Sequence, residues 1–157
     1  MIIERTYNAD HIKQVLTDSA IWECIGGELG DESGYEAEID EIWLTSYNNG
    51  NPIGMFNVHK TDLGLYQCHV QVLPEYRRDA LEFGSRVLDW VWEHTEINKL
   101  IALIPETYEN VKNFAITQGF EIEGFLTNTH EQGGHLFGNW LLAIGRENGQ
   151  GTTAHGS

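Results

Sequence analysis

The residues best placed for chemistry begin in VLPEYRRDALEFGSRVLDW, residues 72–90, where a strand-like run meets a proline and two arginines. Arg77 and Arg78 precede a helical pattern in which Ala80, Gly84, Val87, Leu88 and Val91 share one face, flanked by Leu81 and Trp92. A helix start offers unsatisfied N–H groups and a positive dipole end, which together attract an anion such as a phosphate. The same residues have a purely structural reading. Asp79-Ala80-Leu81-Glu82 has capping-box spacing, in which both acids bond the helix's own amides. A pyrophosphate would compete for those donors. It would also feel Glu82: a unit charge 4 Å away costs about 4 kcal/mol at an effective dielectric of 20.

Proton transfer has fewer candidates. His69 lies in YQCHVQV, whose alternation puts Gln67, His69 and Gln71 on one face and Cys68, Val70 and Val72 on the other. A lone strand histidine is more often structural or solvated than catalytic. Cys68, on the apolar face with nothing basic placed to lower its pKa, reads as core rather than nucleophile. The seven histidines show no H-x-x-E-H or H-x₃-H spacing, so no metal site is expected. Cys24 and Cys68 are too few for a disulfide framework, and both are expected as reduced thiols of a cytoplasmic protein.

The chain of 157 residues is expected to form one domain with a sizeable core. It has 9 Lys+Arg against 24 Asp+Glu, a formal net charge of −15. Such a surface repels nucleic acid and anionic membranes and favours cationic molecules or basic protein surfaces. No run is long and apolar enough to span a bilayer, and MIIERTYNAD lacks the pattern of a secretory signal.

The elements that must position these residues follow from periodicity. A strand is expected over 2–7, then a helix from Asn8 or Asp10 to Gly26-Gly27. Residues 28–41 carry seven carboxylates and no basic residue, and read as a mobile loop or broken helix. EIWLTSY and PIGMFNVHK are strands around the turn NNGN, and 65–73 is a third strand. After the long helix come the apolar strand KLIALI (99–104), ended by Pro105, and a helix from Thr107 to Gln118. EIEGFLTNT and HLFGNWLLAI form a strand pair, and the tail 146–157 is expected to be disordered. The order implies a mixed sheet with helices on both faces.

That order, with V-L-P-E-Y-R-R at 72–78 feeding a helix and Q-G-F at 118–120 closing one, resembles the GNAT superfamily of acyl-CoA-dependent N-acetyltransferases over residues 2–145. Within it the chain looks most like small bacteriophage-encoded members. The resemblance implies an α/β (α+β) fold, a mostly antiparallel sheet of about six to seven strands, in a single domain over 1–145. It implies acetyl-CoA as co-substrate, a cationic acceptor (a small amine or a protein lysine), and the cytoplasm, that of the host for a phage protein. The family's turn reads Arg/Gln-x-x-Gly-x-Gly/Ala. Here Arg77, Ala80 and Glu82 take those positions, with Arg78 beside them and the backbone of Val72 and Leu73 toward the acyl arm. Glu82 departs from the pattern.

Acetyl transfer needs a base for the amine and an acid for the leaving thiolate. The family's tyrosine acid aligns with Ala115, so Tyr108 is the nearest alternative; Glu106 and His69 are the candidate bases. Three functions follow: direct acetyl transfer, a catalytically inactive relative that binds a basic partner (a host protein for a phage product), and a virion component. No large apolar or repetitive surface supports the last. Monomer and dimer both stay open.

Overall fold

The computed structural model describes residues 1–29 and 34–146. Its elements are β1 (Glu4–Arg5), α1 (Ala9–Leu16), α2 (Ser19–Leu29), β2 (Ile42–Thr45), β3 (Tyr47–Asn48), β4 (Asn51–Pro52), β5 (Gly54–Lys60) and β6 (Tyr66–Val72), followed by a 3₁₀ turn over Pro74–Asp79. Then come α3 (Ala80–His94), β7 (Lys99–Pro105), α4 (Glu109–Thr117), β8 (Glu121–Gln132) and β9 (His135–Gly145). Seven strands form one sheet in the order β1-β2-β5-β6-β7-β9-β8, and β3 pairs β4 apart from it. The sheet is mostly antiparallel; β6 and β7 run parallel, Gln67 opposite Ile101. This is the mixed α/β sheet expected from the element order.

By internal contacts the chain divides into two compact units, 1–59 with 69–90, and 60–68 with 91–157. In the first, Ile12, Val15, Leu16, Ile21, Trp43, Met55 and Leu73 form a buried cluster, with Ile25, Tyr35, Ala37 and Tyr76 packed against it. Asn8 caps α1, its side chain accepting from the amides of Asp10 and His11. The single N-terminal helix expected from periodicity is two helices. Asp18 breaks it, its carboxylate accepting from Ala20 N–H at 3.0 Å while its carbonyl receives Trp22 N–H. Gly26 and Gly27, expected to end the helix, lie within α2, since an interior glycine costs about 1 kcal/mol but does not forbid helix.

The Asn-Gly turn falls where the sequence places it. Asn49 and Gly50 both have positive φ, 51° and 82°, as a tight hairpin of this hand requires, but the hairpin joins only β3 and β4. Beyond it, Gly54 opens β5. A Cβ on Gly54 would stand 2.4 Å from the carbonyl oxygen of Gln71, so only glycine lets β5 lie this close to β6. Thr45, fully buried on β2, donates its hydroxyl to the Gly54 carbonyl at 2.6 Å.

Along α3 the buried face is Phe83, Val87, Leu88, Val91 and Trp92; Leu81, expected to flank that face, is exposed. In the second unit β8 and β9 make a long hairpin around Gly133-Gly134, both at positive φ. Pro105 ends β7 as its last residue, still paired with Asn139 of β9. Arg146, placed by its sequence in a disordered tail, donates to the carbonyls of Trp92, Thr95 and Ile97. The rest of that tail lies outside the described residues.

Gly54→Ala is expected to destabilise the protein by about 1–3 kcal/mol, as overpacking against backbone does. Chemical denaturation reads it as a lower midpoint at unchanged slope. Cys68 is buried and its thiol is pushed up to about 12 by desolvation, whereas Cys24 is exposed. A thiol reagent should therefore label the native chain at Cys24 and reach Cys68 only after unfolding.

Candidate functional site

Strand alternation builds the site within the first unit. Met55, Asn57 and His59 point from one face of β5, and His69 and Gln71 from one face of β6, into a cavity of about 560 Å³. Leu16, Ile25 and Trp43 supply apolar wall, and Tyr35, Glu36, Glu38 and Glu41 the remaining side. Gln71 and His69 thus share a face as alternation requires, while Cys68 and Val72 are buried on the other.

The acidic segment is not the free loop its composition suggests, where it is described. Trp43 Nε1 donates to the Glu38 carbonyl at 2.9 Å, and Asn57 Nδ2 donates to Glu41 Oε1 at 3.1 Å. Tyr35 meets the Trp22 ring edge-on at 5.9 Å and packs against the core. Alternating Tyr35 and Ala37 inward leaves Glu36 and Glu38 exposed at the rim. The Tyr35 phenol is pushed up to about 12, first by burial and then by Glu41 and Glu38. It stays protonated and serves as a donor. Among the described residues no lysine or arginine lines this cavity, so its potential favours a cation.

His69 does not stand alone. Its Nε2 lies 3.1 Å from Nε2 of His59, with ring planes only 6° apart and centroids 5.3 Å apart. Rings so disposed meet nitrogen to nitrogen, close to edge-on, rather than face on face. The His69 pKa is lowered to about 4, chiefly by desolvation and secondly by His59. Solvent still touches the His69 ring, which moderates the desolvation. His59 was missed in the sequence reading, although the short connection from Lys60 to Leu65 between the two strands is a signal that could have paired the histidines.

The other predicted residues fall elsewhere. Glu106, a candidate base, turns its carboxylate to the backbone: Oε1 accepts from Gly138 N–H at 2.9 Å, and Glu106 N–H donates to the Gly138 carbonyl. It fastens the end of β7 to β9. Tyr108 is the N-cap residue of α4 and meets the His130 ring edge-on. Both belong to the second unit, whereas His69 belongs to the first. Ala115 is buried in α4.

At the turn, the capping box is replaced. The chain enters α3 through the 3₁₀ turn, whose first residue has no side-chain cap, and Asp79 ends that turn instead of opening the helix. Glu82 pairs with Arg86 at 3.6 Å and with the N-terminal amine at 3.9 Å. Arg77 Nε donates to the Val72 carbonyl at 2.8 Å, folding the exposed Arg77 over the turn; Arg78 is also exposed and Ala80 half-buried. The side chains of Val72 and Leu73 are buried. Leu73 N–H is spent on the Ile53 carbonyl and Pro74 has none, so the backbone donors expected there for an acyl arm are reduced.

No protein-family model matches the sequence, and no curated protein matches it. Solved structures do. A GNAT-family acetyltransferase from Bacillus anthracis is 15% identical with a TM-score of 0.68, covering 88% of this chain and 89% of that one. A variant of spermidine N-acetyltransferase from Vibrio cholerae is 12% identical with a TM-score of 0.74, covering 95% and 97%. YncA of Salmonella typhimurium, solved with its cofactor acetyl-CoA, is 12% identical with a TM-score of 0.70, covering 93% and 94%. At these identities the likeness establishes the fold, which is that of the GNAT acetyltransferases.

The lowered His69 pKa carries a sign. Between about 4 and the ordinary 6.5 the unfolded chain binds more protons at His69 than the folded one, so stability rises with pH there. Wild type should gain melting temperature over His69→Gln across that window and hold the gain above it. Parallel melting curves at every pH would refute the assignment.

Proposed function

We propose that the chain is an acyl-CoA-dependent N-acetyltransferase that moves an acetyl group from acetyl-CoA directly to an amine of a cationic acceptor. The observation that carries this reading is the cavity of the first unit, where Glu36, Glu38 and Glu41 stand with a histidine pair and, among the described residues, no lysine or arginine. Carboxylates concentrate an ammonium ion but leave it protonated and unreactive. His69 removes the proton, and the exposed amine nitrogen becomes a nucleophile. Acetyl-CoA, when bound, supplies the acyl group as a thioester. Bond formation from nitrogen to the acyl carbon accompanies loss of the thiolate, and the second proton that the nitrogen sheds in becoming an amide balances the one the thiolate takes up. Glu106 and Tyr108, the other candidates by sequence, belong to the second unit, and the Glu106 carboxylate is engaged by Gly138, so neither is given a step.

The donor set of the turn fits the co-substrate's phosphates. Arg77 and Arg78 are exposed in the last turn of the 3₁₀ segment, just before α3, and Ala80 adds little bulk. Glu82 is partly neutralised by Arg86 and the N-terminal amine, so it opposes an anion less than its position in the motif suggests. Val72 and Leu73 contribute through the backbone alone. The shared fold with YncA, solved with acetyl-CoA, and with the Vibrio spermidine enzyme supports both the co-substrate and an amine acceptor.

A second reading, an inactive protein of this fold that binds a basic partner, is favoured by one observation. Buried Ala115 stands where the resemblance puts the proton donor. The two readings part on ligand binding. Acetyl-CoA at 100 times its dissociation constant should add about 2.7 kcal/mol of stability, a clear rise in melting temperature. No rise with millimolar acetyl-CoA or CoA would leave only the second. Under the first reading Glu41→Gln should raise KM for the amine about tenfold, a loss of roughly 1.4 kcal/mol, with acetyl-CoA affinity unchanged.

A further inference from the structure

The contact between His59 and His69 constrains how many protons the two rings can hold. At 3.1 Å, two nitrogens meeting nearly in plane have room for one hydrogen between them. With both rings neutral, one must donate from Nε2 and the other accept at a bare Nε2, so the two tautomers differ. A first added proton goes to the exposed ring nitrogen of the donor. The bond between the rings then becomes charge-assisted and shorter. A second proton would set two N–H groups against each other and break it.

We propose that His59 and His69 work as one base, taking a single proton from the acceptor's ammonium and refusing a second. This role rests on the acetyl-transfer reading; the pairing itself does not. In the forward step an N–H bond of the ammonium breaks and an N–H bond forms at Nδ1 of the ring that already donates to its neighbour. The pair then carries one positive charge, released later to water through the solvent-touched His69 ring. His59 is a positioning residue: its Nε2 meets that of His69, orients the ring and shares the charge.

The surroundings agree. Across the elements lining the cavity, the titratable side chains facing the pair are Tyr35, Glu36, Glu38 and Glu41. The strands add neutral Asn57 and Gln71, and the helices only Leu16 and Ile25. Glu41 and the rim carboxylates of the same cavity favour one positive charge there, while ring-to-ring repulsion opposes two. Desolvation first and the neighbouring His59 second lower the His69 pKa to about 4, so His69 resists carrying charge while His59 carries it. Such groups titrate as a pair and not as two residues.

The test reads the imidazole nitrogens of the full chain by two-dimensional ¹⁵N NMR between pH 4 and 8. Expected are one Nδ1–H and one Nε2–H ring at the upper end, one proton taken up by the pair across the range, and the second only near pH 4. Two Nε2–H rings, or two independent titrations at ordinary histidine values, overturn the proposal. His59→Gln keeps an acceptor for His69 and should retain most of the activity. His59→Leu should lower kcat/KM at least tenfold and move the acid limb of its pH profile, with KM for acetyl-CoA unchanged. An unaltered profile in His59→Leu also overturns it. Failure to bind acetyl-CoA would remove the transferase reading instead, and the nitrogen spectra would still decide the pairing.

Discussion

The close approach of β5 to β6 at Gly54 is the constraint on which the site depends. With no side chain there, the Gln71 carbonyl reaches within 2.4 Å of where a Cβ would stand. Backbone bonds from Leu73 to Ile53 and from Thr61 to Leu65 fasten this strand pair near its two ends. Once register is set, alternation leaves no choice about which side chains share the cavity. Met55, Asn57 and His59 must face it from one strand, His69 and Gln71 from the other. The histidine contact is therefore a product of strand register, and a slip of one residue would carry His59 to the opposite face.

Charge acts on two scales. The net charge of −15 is spread over the chain and sets a weak, salt-screened preference for cations. Inside the cavity the preference is local and structural. Asn57 holds Glu41, the indole of Trp43 holds the Glu38 carbonyl, and Tyr35 anchors the described part of the segment to the core. Fixing carboxylates beside an apolar wall strengthens their field, because less water lies between them and a bound cation. At the start of α3 the logic reverses. Glu82 is drawn to Arg86 and the N-terminal amine, and the arginines of the turn keep the advantage.

Much of the architecture was legible. The strand runs 42–45, 54–60, 66–72, 99–105 and 121–145, and the long helix, appear close to where periodicity puts them. The order of elements led to the GNAT-like fold that solved structures share. Misreadings came where a side chain overrules propensity. Asp18 starts a second helix inside a continuous apolar pattern. α3 begins at Ala80, directly after Asp79 as capping-box spacing expects, but Glu82 turns its carboxylate to Arg86 and the N-terminal amine. Spacing alone cannot report where a carboxylate turns.

By itself the sequence determined the kinds of element, their order, the acidic balance and the face of β6 that carries His69, because hydrophobic period and composition are local properties. Tertiary structure decided which polar groups meet. It turned Glu106 onto Gly138, gave His69 a second histidine and held Glu41 against Asn57. Those outcomes depend on strand register and on distances between residues far apart along the chain. Each is set by the packing of whole elements, of which no single residue keeps a trace.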